Sequence, residues 1–256
     1  MARLTAFPTA PVVIGAVGGS GTRVFVRIAR HGGIFMGSCL NSFEDSEPLI
    51  EFYDRWMRPY LASGCRVPEA ERVSMRADLV RCLETHLGAI PEPTMSWGIK
   101  VPKSLLMIRF WHEIFPDLRF THVVRDGLDM AYSADGNQLS QYGDLILAPE
   151  LQSRPRAVRA IAYWSAVNLD AADFGEARLP RRYLRTRFED LCADPARVIA
   201  QLFDFWEAPN RGAVSRAVRE VCPPVTIGRW RASPREEVTQ LVEVGRCALD
   251  RFGYRL

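Results

Sequence analysis

A short segment near the start of the chain, reading VVIGAVGGSGTR over residues 12–23, constrains the fold more than any other feature. An apolar run typical of a buried strand leads into four glycines, which are Gly15, Gly18, Gly19 and Gly21. Glycine has no Cβ, so it adopts positive φ and lets the backbone approach a ligand closely. Ser20, Thr22 and Arg23 then open an amphipathic segment, and the first N–H groups and dipole of a helix there favour an anion. We therefore predict a strand, an anion-binding loop and a helix, in that order.

Two familiar nucleotide-binding loops do not fit this segment. A Walker A loop requires GxxxxGK[ST], in which a lysine before the hydroxyl residue reaches the β and γ phosphates. Alignment of Thr22 with that hydroxyl residue places Gly21 at the lysine position and Ser20 at the second glycine. The spacing of the glycines also departs from the GxGxxG of dinucleotide-binding folds. A strand-to-helix turn that uses glycine only for packing is the alternative to an anion site.

Composition fits one globular domain spanning residues 1–256. With 48% hydrophobic and 25% charged residues, the chain has enough apolar side chains for a substantial core. The formal net charge of +3 comes without any block of like charge, so we predict no nucleic-acid partner. The six cysteines are scattered and contain no CxxC pair, so we interpret them as reduced thiols and predict no metal.

The nineteen residues between Arg3 and Arg23 carry no charge, as in a signal peptide or membrane span. Prolines and glycines within them argue against both, and cleavage after this stretch would remove the anion loop. We therefore expect a cytoplasmic protein without a transmembrane segment.

Strand-like and helix-like segments alternate along the chain, which favours an α/β fold with a central, mostly parallel sheet flanked by helices in three layers. The predicted strands are 11–16, 97–101, 119–124 and 182–187. The predicted helices are 22–30, 48–61, 69–87, 104–115, 127–134, 157–174, 195–206 and 234–252. Ser104 and Asp194 are predicted to cap the helices that follow them. Residues 135–155 are predicted to form a long loop or lid.

A second candidate site follows the predicted strand 119–124. Arg125 leaves the carboxyl end of this strand, which is where ligands of open α/β sheets bind. Ser133 lies eight residues later, about two helical turns along the next element. A guanidinium and a hydroxyl together make a good phosphate clamp. On this segment alone, an ion pair of Arg125 with Asp126 or Asp129 explains the arginine equally well.

Together these motifs resemble those of sulfotransferases that use 3′-phosphoadenosine-5′-phosphosulfate (PAPS) and release 3′-phosphoadenosine-5′-phosphate (PAP). In that family a Ser-Gly-Thr loop holds the 5′-phosphosulfate, and an Arg and a Ser eight residues apart hold the 3′-phosphate. An aromatic residue before Glu-Asp-Leu lies near adenine, and a Gly-x-Trp-basic element follows late in the chain. The matching residues here, in family order, are Gly18, Gly19, Ser20, Gly21, Thr22 and Arg23, then Arg125 and Ser133, then Phe188, then Gly228, Arg229, Trp230 and Arg231. The resemblance implies a P-loop-like sulfotransferase architecture.

The chain also departs from the family pattern at several positions. Arg23 stands in a loop where many members carry a lysine, which is nearer to the tyrosylprotein and carbohydrate sulfotransferases. Gly127 stands where a proline is usual, and Phe188 lacks a tyrosine hydroxyl. The usual basic pair before the last element is missing, so the contacts of Arg229 and Arg231 with the 3′-phosphate are left open.

The resemblance further implies catalytic residues. Lys100 lies in a Lys-x-Pro-basic segment whose lysine approaches the leaving oxygen in the tyrosylprotein type. The loop amides, Arg23 and Lys100 are therefore candidates to stabilise charge during in-line displacement at sulfur. Glu44 and Asp45 fill the stretch that holds the general base in related types, and we favour Asp45. An acidic helix N-terminus explains both carboxylates nearly as well, and His31 is a further candidate base.

We therefore predict an enzyme that moves a sulfonate group from PAPS to a hydroxyl of a small molecule, carbohydrate, lipid or peptide. A nucleotide-dependent kinase or other P-loop phosphotransferase is the alternative, and it would need a loop lysine and an acidic metal ligand. A non-catalytic nucleotide-binding protein is a third possibility. Neither the acceptor nor the oligomeric state follows from the sequence.

Overall fold

A four-stranded parallel sheet lies at the centre of the computed structural model, which describes residues 7, 9–92 and 95–254. Its strands are β1 (Val12–Ala16), β2 (Gly98–Lys100), β3 (Arg119–Val124) and β4 (Tyr183–Arg187), and their order in the sheet is β2-β1-β3-β4. In the ladders, Val13 of β1 pairs with Ile99 on one side and with Phe120 on the other. All four predicted strands are confirmed to within one residue at each end.

Helices cover both faces of this sheet. They are α1 (Arg23–His31), α2 (Glu47–Ala62), α3 (Glu69–Leu87), α4 (Ile108–Ile114), α5 (Gly127–Ala131), α6 (Asn137–Ile146), α7 (Pro149–Gln152), α8 (Arg156–Arg178), α9 (Phe188–Ala193), α10 (Pro195–Phe205), α11 (Val214–Ala217) and α12 (Arg235–Arg251). Because successive side chains of a strand point to opposite faces, Val13 packs into one apolar core and Val12 and Ile14 into the other. Helices α1, α10 and α11 contribute to the smaller core, and α2, α3, α8 and α12 to the larger one. The three-layer α/β architecture is thus confirmed.

Two predicted elements are wrong. Residues 135–155 do not form one long loop, because α6 and α7 lie within them. Helix α6 buries Leu139 and Tyr142 and packs against α8, and this packing stabilises a short helix. Ser104 caps no helix: it lies inside a short 3-10 helix over Pro102–Met107, where its buried hydroxyl is 2.6 Å from the Tyr53 hydroxyl.

Two smaller predictions about helix ends have different outcomes. Helix α5 ends at Ala131, three residues before the predicted end. The Asp194 cap is confirmed, because its carboxylate accepts a hydrogen bond from the Arg197 amide at 3.3 Å at the start of α10.

Other features bear on the membrane, redox and metal predictions. None of the helices within 9–92 and 95–254 has the length and apolar character needed to span a membrane. All six cysteines carry free thiols. The two ring nitrogens of His86 form hydrogen bonds with the Ser46 hydroxyl (2.8 Å) and the Gly98 carbonyl (3.0 Å), so both are occupied by protein groups. Over the described part of the chain, no three potential metal-ligating side chains come together.

Candidate active site

The carboxyl ends of β1, β2 and β3 lie at one edge of the sheet and bring the predicted site residues together. The glycine loop follows β1, Lys100 is the last residue of β2, and Arg125 follows β3. Since β3 pairs directly with β1, Arg125 reaches the loop, and its Nη1 donates to the Gly19 carbonyl at 3.2 Å. A cleft of about 540 Å³ opens beside this contact. The predicted residues that line it are Gly19, Gly21, Thr22, Arg23, Asp45, Lys100, Arg125 and Phe188.

The loop has the geometry of an anion site. Gly19 and Gly21 adopt φ values of 86° and 80°, a left-handed conformation that favours glycine. The N–H and hydroxyl of Ser20 both point to the Val17 carbonyl, at 3.3 and 2.6 Å, which closes the turn and keeps Ser20 out of the cleft. The amides of Gly19, Gly21 and Thr22 find no acceptor among the described residues. These free donors stand at the N-terminus of α1, where the helix dipole adds positive potential.

Phe188 forms the floor beneath the loop. Its ring is nearly buried, and a Cβ on Gly21 would lie only 2.4 Å from ring atom Cε2. The guanidinium carbon of Arg125 lies over the same ring, 5.3 Å from its centroid. One aromatic side chain therefore supports both the loop and Arg125.

Arg125 is 4% exposed and has no carboxylate partner within the described ranges. Its Nη2 donates to the Thr226 hydroxyl at 2.8 Å, and its buried Nε has no hydrogen-bond partner among the residues described. Asp126 and Asp129 instead accept from the Trp230 indole and from the Gly228 amide. The ion pair that the sequence left open for Arg125 does not form, so its charge is available to a ligand.

Ser133 and Gly127 complete the surroundings of Arg125. The Ser133 hydroxyl lies 3.2 Å from the position that a Cβ on Gly19 would occupy, so this serine is beside the loop. A Cβ on Gly127 would come within 2.6 Å of the Trp164 indole, which donates to the Arg125 carbonyl at 3.0 Å. Glycine at position 127, where the family usually has proline, therefore allows the Trp164 ring to pack closely and to hold the Arg125 backbone.

The late Gly-Arg-Trp-Arg element is divided between two places. Arg229 donates to the Thr226 carbonyl at 3.2 Å and to the Tyr132 carbonyl at 3.5 Å. Tyr132 precedes Ser133 in the sequence, so Arg229 lies near Ser133. Burial and the nearby Arg125 charge lower the pKa of Arg229. Gly228, Trp230 and Arg231 instead line a separate cavity of about 170 Å³. Arg229 is therefore the member of the element that lies next to Arg125, since both donate to Thr226.

Lys100 and Asp45 form an ion pair in the wall of the cleft. Lys100 is 3% exposed, and its ammonium also donates to the Phe43 carbonyl at 2.6 Å. Burial lowers the pKa of Lys100, the Asp45 carboxylate opposes that shift, and the Arg23 charge adds to it. The pair therefore places a cation of lowered proton affinity against a carboxylate, next to the loop.

The remaining candidates around the cleft mouth have different surroundings. Glu44, with φ of 60°, turns to α1 and pairs with Arg27 at 2.9 Å and Arg30 at 3.8 Å. Arg23 is exposed and lies over the Phe43 ring at 5.1 Å. His31 contacts Glu220 at 2.9 Å. The structure thus brings Asp45 and Arg23 to the cleft and directs Glu44 into ion pairs on α1.

Comparison with known proteins identifies the family. A model of the sulfotransferase family matches residues 37–211, about two thirds of the chain. The chain belongs to the sulfotransferase family. The matched region contains Asp45, Lys100, Arg125 and Ser133. The predicted enzyme class is therefore confirmed, and the phosphotransferase alternative is not favoured. No curated protein matches the sequence.

Solved structures show the same fold as this sulfotransferase. The sulfotransferase domain of the olefin synthase from Synechococcus PCC 7002 has a TM-score of 0.56 at 17% identity, covering 96% of this chain and 95% of that one. The sulfotransferase domain from the curacin biosynthetic pathway has a TM-score of 0.58 at 12% identity, covering 97% and 99%. Sulfotransferase STF9 from Mycobacterium avium has a TM-score of 0.60 at 14% identity, covering 99% and 79%.

Sequence reasoning missed several residues of this sulfotransferase cleft. Phe43, 60% exposed at the mouth, stands beside Glu44 and Asp45 but carries no signal of its own. Thr226 contacts Arg125 from a segment without helical or strand periodicity. Glu220 lines the cleft from a short turn late in the chain. The contacts of Thr226 with Arg125 and of Glu220 with His31 span more than a hundred residues of sequence, and a local pattern does not encode such contacts.

Proposed function

We propose that the protein transfers the sulfonate group of PAPS to a hydroxyl acceptor. The observation that carries this proposal is the pair of guanidinium groups, Arg125 and Arg229, which lie close together beside Ser133. Arg125 is buried and Arg229 is partly buried, and both donate hydrogen bonds to Thr226. A buried cation beside a second cation is costly unless an anion compensates the charge. The loop amides supply a second anion site next to them. A nucleotide with one anionic group on each side of its ribose fits this arrangement.

Each part of PAPS has a proposed place. The loop over residues 18–23 holds the 5′-phosphosulfate through the free amides of Gly19, Gly21 and Thr22, with the Arg23 charge and the helix dipole adding to them. Arg125, Ser133 and Arg229 hold the 3′-phosphate, for which guanidinium forks provide two parallel hydrogen bonds. Phe188 offers its ring to the adenosine. The Nε of Arg125 and the free amides of the loop support this fit, because each is a hydrogen-bond donor without an acceptor among the described residues.

The proposed chemistry assigns a separate task to each residue at the loop. Asp45 takes the proton of the acceptor hydroxyl as its oxygen attacks sulfur. Lys100, Arg23 and the loop amides stabilise the negative charge on the sulfonate oxygens and on the 5′-phosphate oxygen that leaves. Close positioning and fixed charge supply the rate increase in this proposal, as in phosphoryl transfer.

The acceptor enters beside Asp45 in this proposal, at the mouth formed by Phe43 and Arg23. An exposed ring under a guanidinium suits a sugar face, a phenol, a lipid chain or a peptide side chain, so the hydroxyl acceptor is proposed only as a class. We further propose that the whole chain, residues 1–256, acts as one sulfotransferase domain.

Calorimetric titration with PAP and with ATP tests the proposed function without knowledge of the acceptor. PAP is expected to bind more tightly than ATP, because only PAP carries the 3′-phosphate. Arg125→Ala is expected to weaken PAP binding by about 10- to 100-fold, as charge-assisted hydrogen bonds contribute roughly 1.5–3 kcal/mol. Arg178→Ala, which removes an exposed arginine at the end of α8, is the matched control and leaves both affinities unchanged. Preference for ATP would overturn the proposal.

A further inference from the structure

Residues 221–231, named here the strap, run between α11 and α12 and form one side of the cleft. Val221, Cys222 and Pro224 line the cleft, and Thr226 bonds Arg125. None of the strap residues is fully buried, and Val225 is entirely exposed. Val221, Ile227 and Trp230 are partly buried and pack against the two apolar cores, and polar contacts add to this packing.

The far end of the strap is attached to two carboxylates of the Arg125 segment. Asp129 is fully buried in α5, and its Oδ2 accepts from the Gly228 amide at 2.7 Å. Its Oδ1 accepts from the Trp230 amide at 3.4 Å, and Asp126 accepts from the Trp230 indole at 3.1 Å. The two residues that flank Arg229 are thus both held, and Gly228 supports the turn with φ of 76°.

This attachment fixes the backbone of Arg229 from both sides. Hydrogen bonds from amides to a carboxylate are charge-assisted and stronger than neutral ones. They counter the repulsion between Arg229 and Arg125, because Asp129 is the carboxylate whose charge acts on Arg229. Without Asp129, the amides on both sides of Arg229 lose their acceptor, so Arg229 is held less firmly beside Arg125 and Ser133.

We propose that Asp129 is a positioning residue that determines selectivity for the 3′-phosphate, because it holds the strap so that Arg229 reaches that phosphate. The proposal rests on the proposed function, in which Arg125 and Ser133 bind the same group. It adds that a residue which itself touches no nucleotide decides how strongly the enzyme distinguishes PAP from a nucleotide without a 3′-phosphate. The effect of Asp129 passes through Arg229 alone.

The test compares PAP with adenosine 5′-monophosphate (AMP) in calorimetric titrations of the full chain. The unsubstituted protein is expected to bind PAP more tightly than AMP. Asp129→Asn keeps the side-chain shape but places an N–H₂ group, which cannot accept a hydrogen bond, against the amide of Gly228 or Trp230. The substitution is expected to weaken PAP binding about tenfold and to leave AMP binding unchanged. Asp250→Asn, an exposed aspartate in the last turn of α12, is the matched control.

A double-mutant cycle separates positioning from a general structural role. If Asp129 acts through Arg229, Asp129→Asn has no further effect on PAP binding in an Arg229→Gln background. Arg229→Gln alone provides the second variant should Asp129→Asn fail to fold, since Asp129 is proposed to act through Arg229. It is expected to weaken PAP binding about tenfold without a change for AMP.

Different results overturn the two proposals. An unsubstituted protein that binds AMP as tightly as PAP contradicts the proposed function itself. A clear preference for PAP that survives Asp129→Asn in folded protein, or that survives Arg229→Gln where Asp129→Asn does not fold, contradicts the role of Asp129 through Arg229 but not the proposed function. So does an equal loss for both nucleotides, or an additive effect of Asp129→Asn and Arg229→Gln.

Discussion

Arg125 and Lys100 are both almost fully buried, yet their charges are compensated differently. Lys100 has its own carboxylate, Asp45, and a carbonyl, so its charge is satisfied within the protein. Arg125 lies over the Phe188 ring, donates hydrogen bonds to a carbonyl and a hydroxyl, and leaves Nε without a hydrogen-bond partner within the described residues. Since a buried cation without an anion is unfavourable, the surroundings of Arg125 support its proposed place in a ligand site. Lys100 and Asp45 form a pair suited to proton and charge handling.

Gly21 provides a test of the loop at the scale of one residue. Gly21→Ala is expected to lower the free energy of unfolding by about 2 kcal/mol or more, because a left-handed conformation costs a non-glycine residue roughly 1–2 kcal/mol and the new Cβ overlaps the Phe188 ring. The same substitution is expected to weaken PAP binding. Urea denaturation and calorimetric titration measure the two effects.

Gly64→Ala is the matched control for Gly21→Ala. Gly64 also has positive φ, 62°, but a Cβ there would meet nothing within 4 Å. It is expected to lose only the conformational part of the stability and to bind PAP normally. Equal losses of stability at the two glycines would contradict close packing between the loop and Phe188.

At the scale of elements, the parallel strands were predictable and the strap was not. Strands buried on both faces appear as continuous apolar runs, and β1 does so. β3 is also buried along most of its length, although Thr121 and His122 interrupt its apolar residues. The placement of Arg125 next to the glycine loop followed because both leave the carboxyl ends of strands. The strap has no such pattern. Its position depends on Asp126 and Asp129, whose contacts lie about a hundred residues away in sequence.

Local conformation also limited the prediction of individual elements. Helix α6 was missed because its apolar face is short, so packing against α8 rather than intrinsic propensity stabilises it. The choice between Glu44 and Asp45 could not be derived either, since they are neighbours in an irregular segment. The positive φ of Glu44 and its ion pair with Arg27 direct it away from the cleft.

Across the whole molecule, the candidate site is assembled from distant parts of the chain. The loop at 18–23, the pair Asp45 and Lys100, Arg125, and the strap all meet at one edge of the sheet. Each group depends on the fold for its position, so stability of the fold and occupancy of the site are linked. A ligand that binds only the folded state stabilises it by mass action.

Acid titration of two buried histidines makes the stability of the whole molecule depend on pH. Burial lowers the pKa of His86 and of His122 to about 4, from 6.5 for an exposed histidine. The unfolded chain therefore binds more protons between these values, and the free energy of unfolding falls as pH drops from about 6.5 to about 4. Each histidine contributes up to about 1.4 kcal/mol per pH unit. Burial raises the pKa of Asp126 to about 6, from 3.8 for an exposed aspartate. The folded chain therefore binds the extra proton here, and this carboxyl increases the free energy of unfolding as pH drops from about 6 to 3.8.

Urea denaturation over this pH range measures the effect. Two histidines outweigh one aspartate, so a net loss of stability toward acid is expected, and His122→Phe is expected to make the slope shallower. Stability that stays constant or rises from pH 6.5 to pH 4 would contradict the neutral, buried state of the two histidines.

The crystal structure of the complex with PAP tests the two-site account of the nucleotide most directly. The account predicts 5′-phosphate oxygens within hydrogen-bond distance of the amides of Gly19, Gly21 and Thr22, and 3′-phosphate oxygens bonded by the guanidinium groups of Arg125 and Arg229. A nucleotide bound elsewhere, or one whose 3′-phosphate lies away from Arg125, would contradict it.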